Sequence, residues 1–89
     1  MAVVSFTPNI QRHVPCPDIE VTGATVREVL DAAFALNPPA RGYVLDDQAG
    51  LRKHMIVFVD GVMVLDRARL SDPVGANSRV FVFQSLSGG

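Results

Sequence analysis

Met55-Ile56-Val57-Phe58-Val59-Asp60-Gly61-Val62-Met63-Val64-Leu65 reads as two short apolar strands joined by Asp60-Gly61. Asp-Gly accepts positive φ at both central positions of a tight primed turn, whose twist matches that of the strands it joins. A two-stranded hairpin is therefore predicted over 55–65. Period two divides its first arm into Met55, Val57 and Val59 on one side and Ile56, Phe58 and Asp60 on the other. The same rule splits the last strand, 79–85, into Val80, Val82 and Gln84 against Arg79, Phe81, Phe83 and Ser85. The sets that end in charges are assigned to the outside, which leaves Ile56, Phe58, Phe81 and Phe83 as an apolar patch in solvent. The competing assignment inverts the parity and buries the larger phenylalanines.

Upstream, Val4 and Phe6 alternate with Ser5 and Thr7 as a first strand, with Ile10 and Val14 continuing it irregularly past Pro8. After Pro15-Cys16-Pro17, Asp18 to Thr22 alternates again as a second arm. Thr25-Val26-Arg27-Glu28 is a capping box, so a helix starts there. Val26, Val29, Leu30, Ala33 and Phe34, with Leu36 or Asn37 at the end, form its apolar stripe and leave Arg27, Glu28 and Asp31 in water. Asn37-Pro38-Pro39 stops it. Residues 38–54 read as an irregular loop anchored by Tyr43, Val44, Leu45 and Leu51, and 66–77 as a turn-rich connection with a short 3₁₀ segment near Ala68-Arg69-Leu70.

One amphipathic helix among five short strands must bury its stripe on one sheet face, which gives a two-layer α+β domain. The layout is that of a ubiquitin-like β-grasp, a mixed sheet of four to five strands packed on one main helix. It is expected to occupy 1–85, with 86–89 as a flexible C-terminal tail. The inner set is then Val4, Phe6, Met55, Val57, Val59, Val80 and Val82. An outward apolar patch marks a partner surface, with Arg79 or Arg52 at its rim and Leu86 as a hinge anchor.

The chain has 89 residues, 48% apolar and 19% charged, as expected of one soluble globular domain. A net charge of −1 provides no broad basic field, so neither nucleic acid nor a membrane is expected as a partner. Ser5, Thr7 and Pro8 cut the apolar start short and no basic run precedes it, so the cytoplasm is the expected location. Cys16 is the one cysteine, which excludes an internal disulfide and a four-cysteine iron–sulfur cluster. No carboxylate or second nucleophile stands at useful spacing from His13 or His54, and Asp46-Asp47 reads as a solvated turn. No catalytic residue, metal ligand or bound cofactor is expected, and the chain is not read as an enzyme.

Leu86-Ser87-Gly88-Gly89 is the remaining chemical feature. A terminal carboxylate, with a pKa near roughly 3.5, is ionised at neutral pH and can attack the α-phosphate of ATP. Glycine has no Cβ to collide with a narrow channel. Beyond Leu86 the tail reaches roughly 10–14 Å, enough to enter a buried site while the body stays outside.

With Thr25 to Leu30, Met55 to Gly61, Leu70, Val80 to Val82 and Leu86 to Gly89 as the matching stretches, the chain resembles the ThiS/MoaD family of sulfur-carrier proteins. Its length and the 38–54 segment place it nearer the MoaD and CysO branches than ThiS. In two places it departs from the pattern: Gly75-Ala76-Asn77-Ser78 replaces a Gly-Asp pair, and Gln84-Ser85 stands where prolines often precede the tail. The resemblance implies that an E1-like adenylating enzyme uses ATP and Mg to form an acyl-adenylate on Gly89. A persulfide sulfur would then displace AMP and leave a thiocarboxylate for a sulfur-acceptor synthase subunit in molybdopterin, thiamin, cysteine or related biosynthesis. Two other functions use the same fold: a ubiquitin-like modifier joined through Gly89 to lysine, and a β-grasp binding module with an inert tail.

Overall fold

The computed structural model describes residues 1–12 and 14–84. In chain order these form β1 (Ala2–Phe6), α1 (Pro8–Gln11), β2 (Ile19–Val21), α2 (Val26–Leu36), α3 (Pro38–Val44), β3 (Met55–Val59), β4 (Val62–Met63) and β5 (Arg79–Gln84). The strands make one mixed sheet in the order β2-β1-β5-β3-β4. β1 and β5 run parallel, with Val4 opposite Val80 and Phe6 opposite Val82, and the other pairs are antiparallel. The α+β, ubiquitin-like β-grasp architecture expected from the sequence is present.

Asp60 and Gly61 have φ values of 50° and 83°, as the primed turn requires. In α2, the Thr25 side-chain oxygen accepts from the Glu28 amide at 3.2 Å, and the Glu28 carboxylate accepts from the Ala24 amide at 2.9 Å. The capping box is thus present, shifted back by one amide on its return arm. The next two free amides at this end are satisfied by backbone: Val26 donates to the Asp72 carbonyl and Arg27 to the Leu70 carbonyl. Val26, Val29, Leu30, Ala33 and Phe34 are buried and join Val4, Phe6, Val57, Val80 and Val82 in one core. Leu36, expected at the end of the stripe, is 70% exposed and faces water.

Proline accounts for two further corrections. Past Pro8 the chain does not continue as a strand but turns into α1, because proline at a first helical position loses no hydrogen bond and has the right φ. Pro38-Pro39 ends α2 as expected and then opens α3 for the same reason, so 38–44 is helical rather than irregular. In α3, Ala40 and Val44 are buried, as are Leu45 and Leu51 after it, whereas Tyr43 is exposed. No 3₁₀ segment forms at 68–70. The Asp66 carboxylate organises that turn instead, accepting from the Arg69 and Ser71 amides and the Ser71 hydroxyl.

Arg27 was expected in water and is instead half-buried. Its guanidinium donates to the carbonyls of Ala49 at 2.6 Å, Ala68 at 3.3 Å and Arg69 at 3.3 Å, joining α2 to both long connections. Replacing Arg27 by Met keeps much of the stem but leaves three carbonyls without this donor. Arg27→Met should cost about 1–3 kcal/mol in a urea unfolding titration. A midpoint equal to that of the unaltered protein would show that these bonds contribute nothing.

Candidate functional site

The sheet face away from α2 is read from its register. Phe58 lies opposite Phe81 and Ile56 opposite Phe83 across β3 and β5. Phe58 also lies opposite Met63 across the hairpin, and Ser5 lies beside Phe81 on β1. Paired residues point to the same side, so Ile56, Phe58, Met63, Phe81 and Phe83 form one apolar surface. Phe58 and Phe83 meet edge-on with ring centroids 5.7 Å apart, and Phe81 and Phe83 lie at 5.0 Å. Phe81 is 37% and Phe83 40% exposed, whereas Val80 and Val82 are fully buried. The inverted parity, with the phenylalanines inside, is therefore wrong.

Met63 was missed in the sequence. A two-residue primed turn at Asp60-Gly61 fixes Val59 opposite Val62 and Phe58 opposite Met63, so the turn type alone would have placed Met63 on this face.

Arg79 shares the face of Phe81 and Phe83 and is exposed, at the start of β5. Gln84 lies five positions further on, about 17 Å along a strand. Its amide donates to the Asp60 carboxylate at 2.9 Å, and the Ser78 hydroxyl donates to the other carboxylate oxygen at 2.7 Å. The Ser78 oxygen in turn accepts from the Gly75 amide at 2.8 Å, so the Gly75-Ala76-Asn77-Ser78 turn is tied to the hairpin. The Arg79 amide first, and the Ser78 hydroxyl second, hold the Asp60 carboxyl below its usual range. Arg52, the other rim candidate, is committed elsewhere: its side chain donates to the Gly42 carbonyl at 2.7 Å and its amide to that of Val44 at 2.9 Å.

Leu86, Ser87, Gly88 and Gly89 lie outside the described residues, as does His13. Cys16 is buried, and desolvation pushes its thiol up. Among the described residues no three His, Cys, Asp or Glu side chains come together as a metal site, and no helix is long and apolar enough to cross a membrane.

No family model matches the sequence, and no curated protein matches it. Solved structures do match. The chain superposes on the small archaeal modifier protein SAMP1 of Haloferax volcanii with a TM-score of 0.79 and 23% identity, over 99% of this chain and 98% of that one. Against a chain of the Amycolatopsis orientalis BexX/CysO complex the values are 0.83 and 20%, over the whole of both chains. Against Mycobacterium tuberculosis CysO they are 0.80 and 15%, over 97% and 100%. The structural neighbours thus include small modifier proteins and CysO, with which this chain shares the ubiquitin-like β-grasp.

Phe81→Lys should cost only about 1–2 kcal/mol, the loss of part of its burial and its ring contacts. Val82→Asp should unfold the domain, because an unpaired carboxylate would be buried under α2. Denaturant titrations of the two variants compare the faces directly, and equal losses would contradict the face assignment. The Asp60 carboxyl titrates lower in the folded chain than in the unfolded one. Its contribution is therefore present above the unfolded value near roughly pH 4 and is lost as pH falls through the lowered folded value. Asp60→Asn keeps a residue tolerant of positive φ, so the stability gap to the unaltered protein should be widest at neutral pH and close on acidification. Thermal melts from pH 7 to pH 2 measure that gap.

Proposed function

We propose that this chain is a small cytoplasmic sulfur carrier whose Gly89 carboxylate is activated by an E1-like adenylating enzyme and converted to a thiocarboxylate. The observation that carries the reading is the outward face of Ile56, Phe58, Met63, Phe81 and Phe83, centred on β5, the strand that leads directly into residues 85–89. A partner gripping that face holds the root of the tail. Its likeness to CysO and small archaeal modifier structures supports the same class.

The chemistry asks little of this chain. A Gly89 carboxylate oxygen attacks the α-phosphorus of Mg-bound ATP, pyrophosphate leaves, and the carboxyl carbon becomes a mixed anhydride with AMP as its leaving group. The terminal sulfur of a persulfide attacks that carbon and expels AMP, giving an acyl disulfide. A second thiol then attacks the distal sulfur, so that a disulfide forms and the thiocarboxylate is released for a sulfur-acceptor synthase subunit. Acids, bases, metal and thiols come from the partners, and this chain is their substrate.

Its structural similarity to small archaeal modifiers favours a second reading, in which the activated Gly89 joins a lysine of a target protein. Intact-protein mass after incubation with a cognate activating enzyme, Mg-ATP and a sulfur donor separates the two. Exchange of one terminal oxygen for sulfur is expected of a carrier, and a ladder of heavier conjugates of a modifier. Deleting Gly89 should abolish activation and leave the melting curve unchanged, and an activated deletion variant would overturn the assignment of the tail.

A further inference from the structure

We propose that Lys53 and Arg67 form a cationic collar beside Gln84 that docks against acidic side chains around the mouth of the adenylating partner's channel. The inference rests on the proposed activation of Gly89 and adds to it where, and by what charge, the partner is met.

The register places the collar. Met55 at the start of β3 lies opposite Gln84 at the end of β5, and the Met55 amide donates to the Arg52 carbonyl at 2.9 Å, closing a tight turn over 52–55. Lys53 is two residues from Met55, so its Cα lies within about 12 Å of that of Gln84, the last described residue before the tail. Arg67 joins the same turn, its guanidinium donating to the carbonyls of Arg52 at 2.7 Å and Lys53 at 3.4 Å. Two cations, Lys53 and the Arg67 guanidinium, thus meet at one turn of a chain whose net charge is −1, while the Arg52 side chain reaches back to the Gly42 carbonyl.

Among the described residues no carboxylate forms an ion pair with Lys53 or Arg67. Among the described residues the ion pair recorded is that of Arg27 with Asp31, at 3.9 Å. Asp46 lines the same cleft as Arg67, but its carboxylate accepts from the Gln48 and Gly50 amides and makes no ion pair with the guanidinium. Lys53 is exposed, and its ammonium makes no hydrogen bond within the described residues. Any pose that draws the tail into a channel brings this turn against the surface around the opening. Partner acids there would speed encounter and fix the orientation of entry, and salt would weaken both effects.

The test is ATP–pyrophosphate exchange by a cognate adenylating enzyme, with this protein as the varied substrate, from low to high salt. Lys53→Glu should raise KM by roughly three- to ten-fold at low salt with little change in kcat, and should flatten the salt dependence. Lys53→Gln should fall between that variant and the unaltered protein. Thr22→Glu makes the same one-unit charge change as Lys53→Gln, but next to β2 at the Ala2 end of the sheet, and should leave KM unchanged. Melting curves that coincide with the unaltered protein exclude unfolding as the cause. Exchange with equal KM and equal salt dependence in Lys53→Glu would overturn the collar alone. No exchange with the unaltered chain by any cognate enzyme would overturn the carrier reading and the collar with it.

Discussion

The pairing of β5 on both of its edges is the constraint from which the rest of the structure follows. β5 is parallel to β1 on one side and antiparallel to β3 on the other, so the first and last strands of the described chain lie side by side at the middle of the sheet. A parallel pair cannot be closed by a tight turn, and the intervening chain must cross over a sheet face. α2 makes that crossing and covers one face. The same strand therefore has Val80 and Val82 fully buried and Phe81 and Phe83 partly in water. The outward patch follows from having one main helix and a central strand that is apolar on both sides.

Central placement also decides where the tail starts. Gln84 ends the central strand two residues past the last β1 pair, Phe6 with Val82, and its surroundings are the chain after β1 and the 52–55 turn before β3. Thr7 donates its amide to the Val82 carbonyl on the first side, and Met55 lies opposite Gln84 on the second. The helix layer is fixed from its N-terminal end, where Leu70 and Asp72 accept from the first helical amides and Arg27 reaches three more carbonyls. Leu70 is fully buried with φ at +56°, a left-handed conformation that a bulky residue adopts only under surrounding constraint. Here the Asp66 carbonyl on its amide and the Arg27 amide on its carbonyl supply that constraint.

What was legible in the sequence was what depends on local period or local turn chemistry. Strand parity separated Val80 and Val82 from Phe81 and Phe83, Asp60-Gly61 fixed the hairpin, and Thr25 with Glu28 marked the helix start. Proline was misread because its two effects act in opposite directions: the residue before it leaves the helix, while the proline itself suits a first turn, so Pro8 and Pro38 each open a helix where a strand or loop was expected. Arg27 lies on the polar face of its own helix, and nothing in its spacing records that two distant connections bring carbonyls to it. Arg67 and Lys53 are fourteen residues apart in sequence, and their convergence comes from backbone carbonyls that the tertiary fold presents.

Under the proposed carrier function, an apolar face and a charged turn suit a chain that is held and then released. The patch comprises five side chains, Ile56 and Phe58 half-buried and Met63, Phe81 and Phe83 exposed, so the area removed from water on docking is limited and the affinity it can supply is modest. If the chain passes from an activating enzyme to an acceptor as proposed, it gains nothing from a tighter hold, because each transfer requires dissociation. Charges at the root of the tail act mainly on encounter and orientation, and so raise the frequency of productive entry without lengthening the bound state in proportion. The two surfaces are separate: the patch lies along the exposed face of β3 and β5, and Lys53 and Arg67 lie in the connections beside the Gln84 end of that pair. A partner can therefore recognise the fold by one and aim the tail by the other.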